Sequence, residues 1–213
     1  MFVKKDLRKI PQILADASGD DITSDKRLKE LRLARRPAEF NGSASILCQP
    51  EYASALRDII SLSLYDCQIS NISDLGFSAS QVPIPNHREE VSDNNGDDNL
   101  GESGIVLSNL SRLDLGRNPL TTLPLELGLL HRSLTSLWLD DCDVSGSMPE
   151  CIYDLTNLKI LRLSNNNVTS IKGKGGFDKL KHLQVLCLDG NRIEEIPASL
   201  GDNLLNLESL LLR

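Results

Sequence analysis

The chain has 213 residues, 40% of them hydrophobic and 4% aromatic, and a formal net charge of −7. A net negative charge argues against general nucleic-acid binding, which depends on a basic surface. The first 18 residues lack the apolar region of a secretory signal, and no apolar run approaches the length of a membrane span. Five cysteines without the spacing of a disulfide framework are typical of a reducing compartment. The sequence therefore predicts a cytoplasmic protein without a membrane span.

Residues 1–27 predict either an N-terminal helical cap or a loose tail. Leu7, Ile10, Ile13 and Leu14 recur at helical spacing, and Pro11 suits a first helical turn. A helix at this position would cover the first end of a repeat array, as terminal caps do. Polar termini also remain loose in many proteins, so both alternatives stay open.

From residue 28 onwards one pattern recurs. Its clearest copy has leucines at 158, 161 and 163, followed by Asn166, Val168 and Ile171. This is the spacing L-x-x-L-x-L-x-x-N/C-x-L. Further copies lie at 28–36, 59–72, 110–123, 134–144, 183–196 and, as half a repeat, 207–212. The Asn or Cys positions 118, 142, 166 and 191 are separated by 24, 24 and 25 residues. A fixed period of this length predicts a solenoid of about seven stacked coils, the last one incomplete.

Each part of the repeat has a physical role. The L-x-L segment predicts a short strand whose leucines point inward and whose intervening residues point to solvent. The Asn position predicts an inward amide that satisfies backbone groups where the chain leaves the strand. Cys67 and Cys142 occupy the same slot, and we expect both to be buried and inert. Arg36 stands in the first slot, so that turn must be built differently.

One segment interrupts the repeats. Residues 83–104 contain six acidic residues and one arginine, and they have almost no apolar side chains. Such a segment cannot bury enough surface to offset its ordering entropy, so we predict a disordered acidic insertion. Asp93, Asn95 and Asp97 have the spacing of a calcium loop, but the glycine and terminal glutamate of that motif are missing.

The repeats resemble the leucine-rich repeat family over about residues 28–213. The LTTLP and EEIP turns resemble Ras-group repeats, and VSGSMPECIYDLTNL resembles a plant-type repeat. The resemblance implies an α/β fold: a curved solenoid with a parallel β-sheet on its concave face and short helices or turns on its convex face. It also implies a protein-binding role without catalytic activity of its own and without a cofactor.

Specificity in such a fold depends on the outward side chains of the sheet. Trp138, the only tryptophan, lies in mid-array with Asp114 and Arg162 on the neighbouring strands. We interpret it as an anchor for a protein partner, because Trp and Arg dominate binding hot spots; the alternative is a solvated stack of Trp138 on Arg162. Cys187 is expected to be a partly exposed thiol. The predicted partner-binding residues are Tyr65, Asp66, Arg112, Asp114, Trp138, Asp140, Asp141, Ile160, Arg162, Ser164, Cys187 and Asp189.

Catalytic and metal motifs are not recognisable. The repeat geometry places no Ser or Cys beside a His, and neither C-x-x-C nor H-E-x-x-H occurs. The sequence therefore predicts a non-enzymatic protein–protein interaction module, such as a signalling adaptor. One alternative is the targeting arm of a larger enzyme, such as a kinase or ubiquitin ligase, which the half repeat at 207–212 favours. Another is a fragment of a receptor ectodomain, favoured by four N-x-S/T sequons at Asn41, Asn71, Asn109 and Asn167.

Overall fold

The computed structural model describes residues 9–10, 12, 28–48, 52–73, 75 and 107–213. The predicted acidic insertion at 83–104 and most of the predicted N-terminal cap lie outside these residues. Ile10 is an exception: its side chain is fully buried, and its backbone N–H donates to Oε2 of Glu39 at 2.8 Å. At least this position of the N-terminal segment therefore packs on the first coil.

Seven parallel strands of three residues each form the main sheet. In spatial order they are β1 (Glu30–Arg32), β2 (Ser61–Ser63), β3 (Arg112–Asp114), β4 (Ser136–Trp138), β6 (Ile160–Arg162), β8 (Val185–Cys187) and β9 (Ser209–Leu211). The register aligns one leucine of every strand, namely Leu31, Leu62, Leu113, Leu137, Leu161, Leu186 and Leu210. The first six of these leucines are buried in one continuous core, whereas Leu210 on the edge strand is 40% exposed. The predicted solenoid and its strand register are confirmed.

Short helices lie in the return segments that the structure describes. The α-helices are α1 (Pro37–Phe40), α2 (Ala53–Arg57), α3 (Glu150–Tyr153) and α4 (Ser199–Asn203), and 3-10 helices span Ala44–Cys48, Leu125–Arg132 and Phe177–Lys179. Two further strands, β5 (Ser145–Ser147) and β7 (Asn167–Ser170), pair in parallel as a second, separate sheet. The repeat pattern did not predict this second sheet.

The first buried amide joins the second and third coils. Oδ1 of Asn118 accepts from the backbone N–H groups of Cys67 and Ile69 at 3.1 and 3.0 Å. Its Nδ2 donates to the carbonyl oxygens of Leu64 and Leu115, both at 2.8 Å. One side chain thus satisfies backbone groups of two successive turns, which the core would otherwise leave without partners.

The same arrangement recurs further along the array. Oδ1 of Asn166 accepts from the N–H of Val144, and its Nδ2 donates to the carbonyls of Leu139 and Leu163 at 2.8 and 3.0 Å. Asn191 bonds the backbone of the fifth and sixth coils in the same way. The predicted ladder of inward amides is therefore present.

Cysteine reproduces only the donor half of this arrangement. The thiols of Cys67 and Cys142 donate to the carbonyls of Leu33 and Leu115, at 3.0 and 3.4 Å. A thiol is a weak acceptor, so the coil before Cys142 must satisfy its turn differently. There the N–H of Leu120 donates to the carbonyl two residues earlier, at 2.7 Å. Both cysteines are buried, as expected.

A left-handed residue precedes each slot. These residues are Arg35, Asp66, Arg117, Asp141, Asn165 and Gly190, with φ between 55° and 68°. The N–H of each donates to a carbonyl of the following coil at 2.8–2.9 Å, so the strand-like bonding continues past the strands. Left-handed backbone costs about 1–2 kcal/mol for residues other than glycine. The recurring bond offsets that cost and lets the next side chain turn inward.

A second ladder lies at the opposite edge, where the strands begin. The side-chain amides of Asn109, Asn157 and Asn206 donate to the carbonyls of Arg57, Arg132 and Lys181 at 2.9, 3.1 and 2.6 Å. These asparagines occur in every second coil, just before the first leucine of the repeat. Neighbouring coils are consequently tied at both ends of the strands.

The buried amides should matter more for stability than the exposed ones. Asn166→Ala leaves buried backbone groups without partners, each of which costs about 1–3 kcal/mol, so we expect a loss of about 3 kcal/mol in the free energy of unfolding. Asn157→Ala removes one exposed hydrogen bond and should cost less than about 1 kcal/mol. Urea titration of the two variants measures both values, and equal losses would contradict the assigned role of the buried ladder.

Candidate functional site

The predicted binding residues lie on one side of the main sheet. All of them belong to strands β2, β3, β4, β6 and β8 or to the two or three residues after a strand, and they are on the face opposite the core leucines. We call this the concave face. Arg112, Asp141 and Arg162 are exposed, and most of the others are half-buried. Ser164 and Cys187 differ from the rest because they are buried.

Trp138 lies between two arginines. It stands in register with Asp114 on one side and Arg162 on the other. The guanidinium carbon of Arg162 is 5.8 Å from the centroid of the indole ring, as the sequence suggested. The guanidinium of Arg112 also lies over the ring, at 5.6 Å, a contact the sequence did not indicate. Within the described residues, the buried Nε1 of Trp138 has no hydrogen-bond partner.

Asp140 organises the neighbouring part of the face. Its Oδ2 accepts from Nε of Arg162 at 2.6 Å, and its Oδ1 accepts from the backbone N–H of Ser164 at 3.0 Å. Oγ of Ser164 then donates to Oδ1 of Asp189 at 2.7 Å. This chain of bonds crosses three coils and holds the Ser164 side chain close to the sheet, which explains why Ser164 is buried.

The Tyr65 ring packs on the third coil. A Cβ at Gly116 would lie 3.1 Å from a ring carbon of Tyr65, so the ring occupies the space that a side chain would need. The guanidinium of Arg117 lies 5.8 Å from the ring centroid and forms an ion pair with Asp141 at 3.7 Å. Arg117 was not among the predicted site residues. The sequence signal that could have identified it is its position directly before Asn118, the inward Asn of the repeat.

Asp114 is held by neutral donors. Oγ of Ser63 donates to its Oδ2 at 2.8 Å, and the backbone N–H of Gly116 donates to its Oδ1 at 3.1 Å. Its carboxylate is therefore fixed on the side of the second coil, away from Trp138's other neighbour, Arg162.

The expectation of a partly exposed thiol at Cys187 is wrong. Its residue exposure is only 6%. Arg162 and Leu211 stand beside it in register, and these larger side chains enclose the thiol. Burial raises the pKa of the Cys187 thiol above its ordinary value. Cys187 is consequently a buried residue beneath the concave face and not a surface thiol.

The described part of the chain contains no group of three or more His, Cys, Asp or Glu residues arranged to hold a metal ion. In the same residues, no helix combines the length and apolar character needed to cross a membrane.

Stacked coils with inward leucines, a parallel sheet and an amide ladder define a repeat solenoid. The family model for the leucine rich repeat matches residues 132–193 and 156–213. The chain belongs to the leucine-rich repeat family. The subtypes suggested by the turns, Ras-group-like and plant-type, stay predictions.

Relatives contain this region within longer proteins. The chain is 30% identical over 191 residues to the human volume-regulated anion channel subunit LRRC8A, a match covering 90% of this chain and 20% of the channel subunit. It is 38% identical over 108 residues to the probable serine/threonine-protein kinase pats1 of Dictyostelium discoideum, covering 50% of this chain and 3% of the kinase. The chain thus spans a small part of each relative.

A solved structure supports the fold. A complex of TLR13 with ssRNA13 aligns with a TM-score of 0.55 and 23% identity, covering 87% of this chain and 21% of that chain. At this identity the likeness concerns the fold alone.

The cysteines should be protected from alkylation in the native chain. Burial raises the pKa of Cys142 from 9.0 to about 11, which lowers its thiolate fraction at pH 8 about 100-fold. Burial also raises the pKa of Cys151 to about 12. We expect iodoacetamide to label both at least 100-fold more slowly in native than in urea-unfolded chain, measured by peptide mass spectrometry. Native labelling at the unfolded rate would contradict burial of these thiols.

The raised pKa values of Cys142 and Cys151 also predict how the stability of the folded chain changes with pH. The folded pKa values lie above 9.0, so the contribution of the neutral thiols is complete below about pH 9 and is lost as the pH rises towards 11 and 12.

Proposed function

We propose that the chain is a non-enzymatic interaction module that binds a protein partner on its concave face and serves as a signalling adaptor. The observation that carries this proposal is Trp138, the only tryptophan of the chain, half-buried at the centre of that face. Membership in a family whose fold typically forms interaction modules supports the general role as an interaction module.

The surroundings of Trp138 favour binding over a purely structural role. Arg112 and Arg162 lie over the ring, and Asp140 fixes Arg162 through its 2.6 Å ion pair. An aromatic side chain held in place in this way loses little conformational entropy when a partner covers it. Buried Trp and Arg anchors also supply a large share of the energy in protein interfaces. A preorganised anchor on a rigid sheet is therefore suited to recognition.

A protein is the partner class that we propose. The chain's formal charge of −7 disfavours a phosphate backbone, because nucleic-acid affinity depends on neutralising phosphates with basic residues. The TLR13 complex contains RNA, so an RNA arm belongs in the test.

Trp138→Ala should abolish partner capture. Immobilised full chain is exposed to extract from the source cells, and captured proteins and RNA are quantified by mass spectrometry and sequencing. We expect the specific protein partner to fall at least about 10-fold, since loss of a hot-spot tryptophan typically costs 2 kcal/mol or more. The thermal melt should change little because Trp138 is on the outer side of the sheet.

Leu125→Ala provides the matched control. Leu125 is 71% exposed in the 3-10 helix Leu125–Arg132, on the return side of its coil. This substitution also truncates an exposed apolar side chain, but it should leave capture unchanged. Equal loss of partner capture in the two variants, or no loss in Trp138→Ala, would contradict the role of Trp138 as the binding anchor. If only RNA is captured and its capture depends on Trp138, the partner is a nucleic acid and the proposed protein partner is wrong.

A second candidate is that the array is the recognition arm of a larger polypeptide, such as a kinase or a channel subunit. The small share of LRRC8A and pats1 that the chain covers favours it. An antibody raised against the array distinguishes the candidates in a denaturing blot of source cells. A band near 23.5 kDa supports a separate adaptor, and a much larger band supports the arm.

We propose a cytoplasmic location, supported by the free thiols of Cys67, Cys142, Cys151 and Cys187. The receptor-ectodomain alternative requires passage through the secretory pathway. Glycosidase treatment of the native protein tests it: a mass shift that maps to Asn167 would favour the ectodomain and contradict the cytoplasmic location.

A further inference from the structure

Most charges on the concave face are already neutralised by neighbours. Four ion pairs connect its arginines to acidic residues, namely Arg32–Glu30 at 2.9 Å, Arg35–Asp66 at 3.7 Å, Arg117–Asp141 at 3.7 Å and Arg162–Asp140 at 2.6 Å. Among the residues that the structure describes, Arg112 forms no ion pair, although it is exposed at the centre of the same face. Arg112 therefore contributes one unneutralised positive charge next to the only tryptophan.

The indole ring holds this charge in place. The Arg112 guanidinium carbon lies 5.6 Å from the Trp138 ring centroid, and Arg162 lies on the same ring at 5.8 Å. A guanidinium that rests on an aromatic face keeps the N–H donors in its own plane available for hydrogen bonds. Its planar fork matches the two oxygens of a carboxylate. Arg112 is thus a preorganised donor pair without an acceptor.

The nearby acidic residues are engaged elsewhere. Asp114, two residues along the same strand, accepts from Oγ of Ser63 and from the N–H of Gly116. Asp140 accepts from Arg162 and from the N–H of Ser164. Among the described residues neither carboxylate pairs with Arg112, so its guanidinium is left for an acceptor from outside this part of the face.

The space around Arg112 suits an extended chain. Its neighbours in register on the adjacent strands are Ser61 and Ser136, whose side chains are small. A segment can therefore pass across Arg112 in both directions, which favours a side-chain carboxylate over the terminal carboxylate of a chain. A single unpaired guanidinium matches one carboxylate, whereas a phosphorylated or polyanionic ligand would face the net negative charge of the protein.

We propose that Arg112, stacked on Trp138, forms a subsite that binds one Asp or Glu side chain from an extended segment of the protein partner. The inference rests on the proposed concave-face function and specifies the chemistry of its partner. The carboxylate pairs with the guanidinium of Arg112, and the neighbouring residue of the partner covers the exposed edge of Trp138.

The first test measures the charge at the site without a partner. Because Trp138 is the only tryptophan, its fluorescence reports on this location alone. At low ionic strength we expect iodide to quench the wild-type chain about twofold more effectively, relative to neutral acrylamide, than it quenches Arg112→Gln. Arg192→Gln is the matched control, since Arg192 is exposed, forms no ion pair among the described residues and lies one residue past the Asn191 slot. Equal iodide quenching of wild type and Arg112→Gln would overturn the proposal.

The second test identifies the recognised group. A phage library of random 12-residue peptides, fused at their C-termini so that no terminal carboxylate is free, is selected on the full wild-type chain. Peptides retained by wild type and lost by Trp138→Ala are expected to share one Asp or Glu position. Changing that residue to Gln or Asn, or changing Arg112→Gln, should each weaken binding at least tenfold, and the two changes together should weaken it no further. Additive losses would overturn the carboxylate contact.

The outcomes separate the two hypotheses. Trp138-dependent peptides without a shared acidic residue leave concave-face binding intact and overturn the Arg112 subsite. If binders that depend on Arg112 appear only in a second library with free C-termini, the recognised group is a terminal carboxylate and the side-chain proposal is wrong. A library whose binders ignore Trp138→Ala contradicts the proposed function itself, and the subsite fails with it. Circular dichroism melts of each variant confirm that the fold persists.

Discussion

The structure depends on a backbone that must turn inside an apolar core. Each coil leaves its strand among buried leucines, where water cannot satisfy the exposed N–H and C=O groups. The inward amides of Asn118, Asn166 and Asn191 satisfy those groups, and each amide bonds its own turn and that of the preceding coil. The array is therefore cooperative between neighbours: a coil cannot complete its hydrogen bonds alone, just as it cannot bury its leucines alone.

The leucine spacing predicted the strands and their register because period-two alternation and the core allow only one alignment. It did not predict β5 and β7, since SGS and NVTS carry no apolar alternation that distinguishes a strand from a turn. The left-handed positions at Arg35 and Arg117 were also missed, because the usual signal for positive φ is glycine. The second asparagine ladder recurs at twice the repeat period, so a comparison of adjacent repeats does not reveal it.

The sequence predicted on which side of the sheet the site residues lie, but not how deeply each one is buried. Alternation places Trp138, Arg162 and Cys187 on the outer side of the sheet, and the structure agrees. The burial of Cys187 depends on Leu211 and Arg162 in the neighbouring coils, whose conformations the spacing does not determine. The contact of Arg112 with Trp138 was missed for a similar reason. Arg112 lies in a different outward column, and only the length of its side chain brings it over the ring.

Pairing of charge across coils has a consequence for recognition. Pairs such as Arg117–Asp141 and Arg162–Asp140 neutralise much of the face and fix long side chains in one arrangement. Exposed pairs of this kind add little to stability, because screening and side-chain entropy offset their attraction. Their larger effect is to reduce the number of charges that a partner can engage, so that Arg112 and the ring of Trp138 differ from their surroundings. Specificity on a repetitive sheet requires such a difference, because identical coils would allow a partner to bind in several registers with the same affinity.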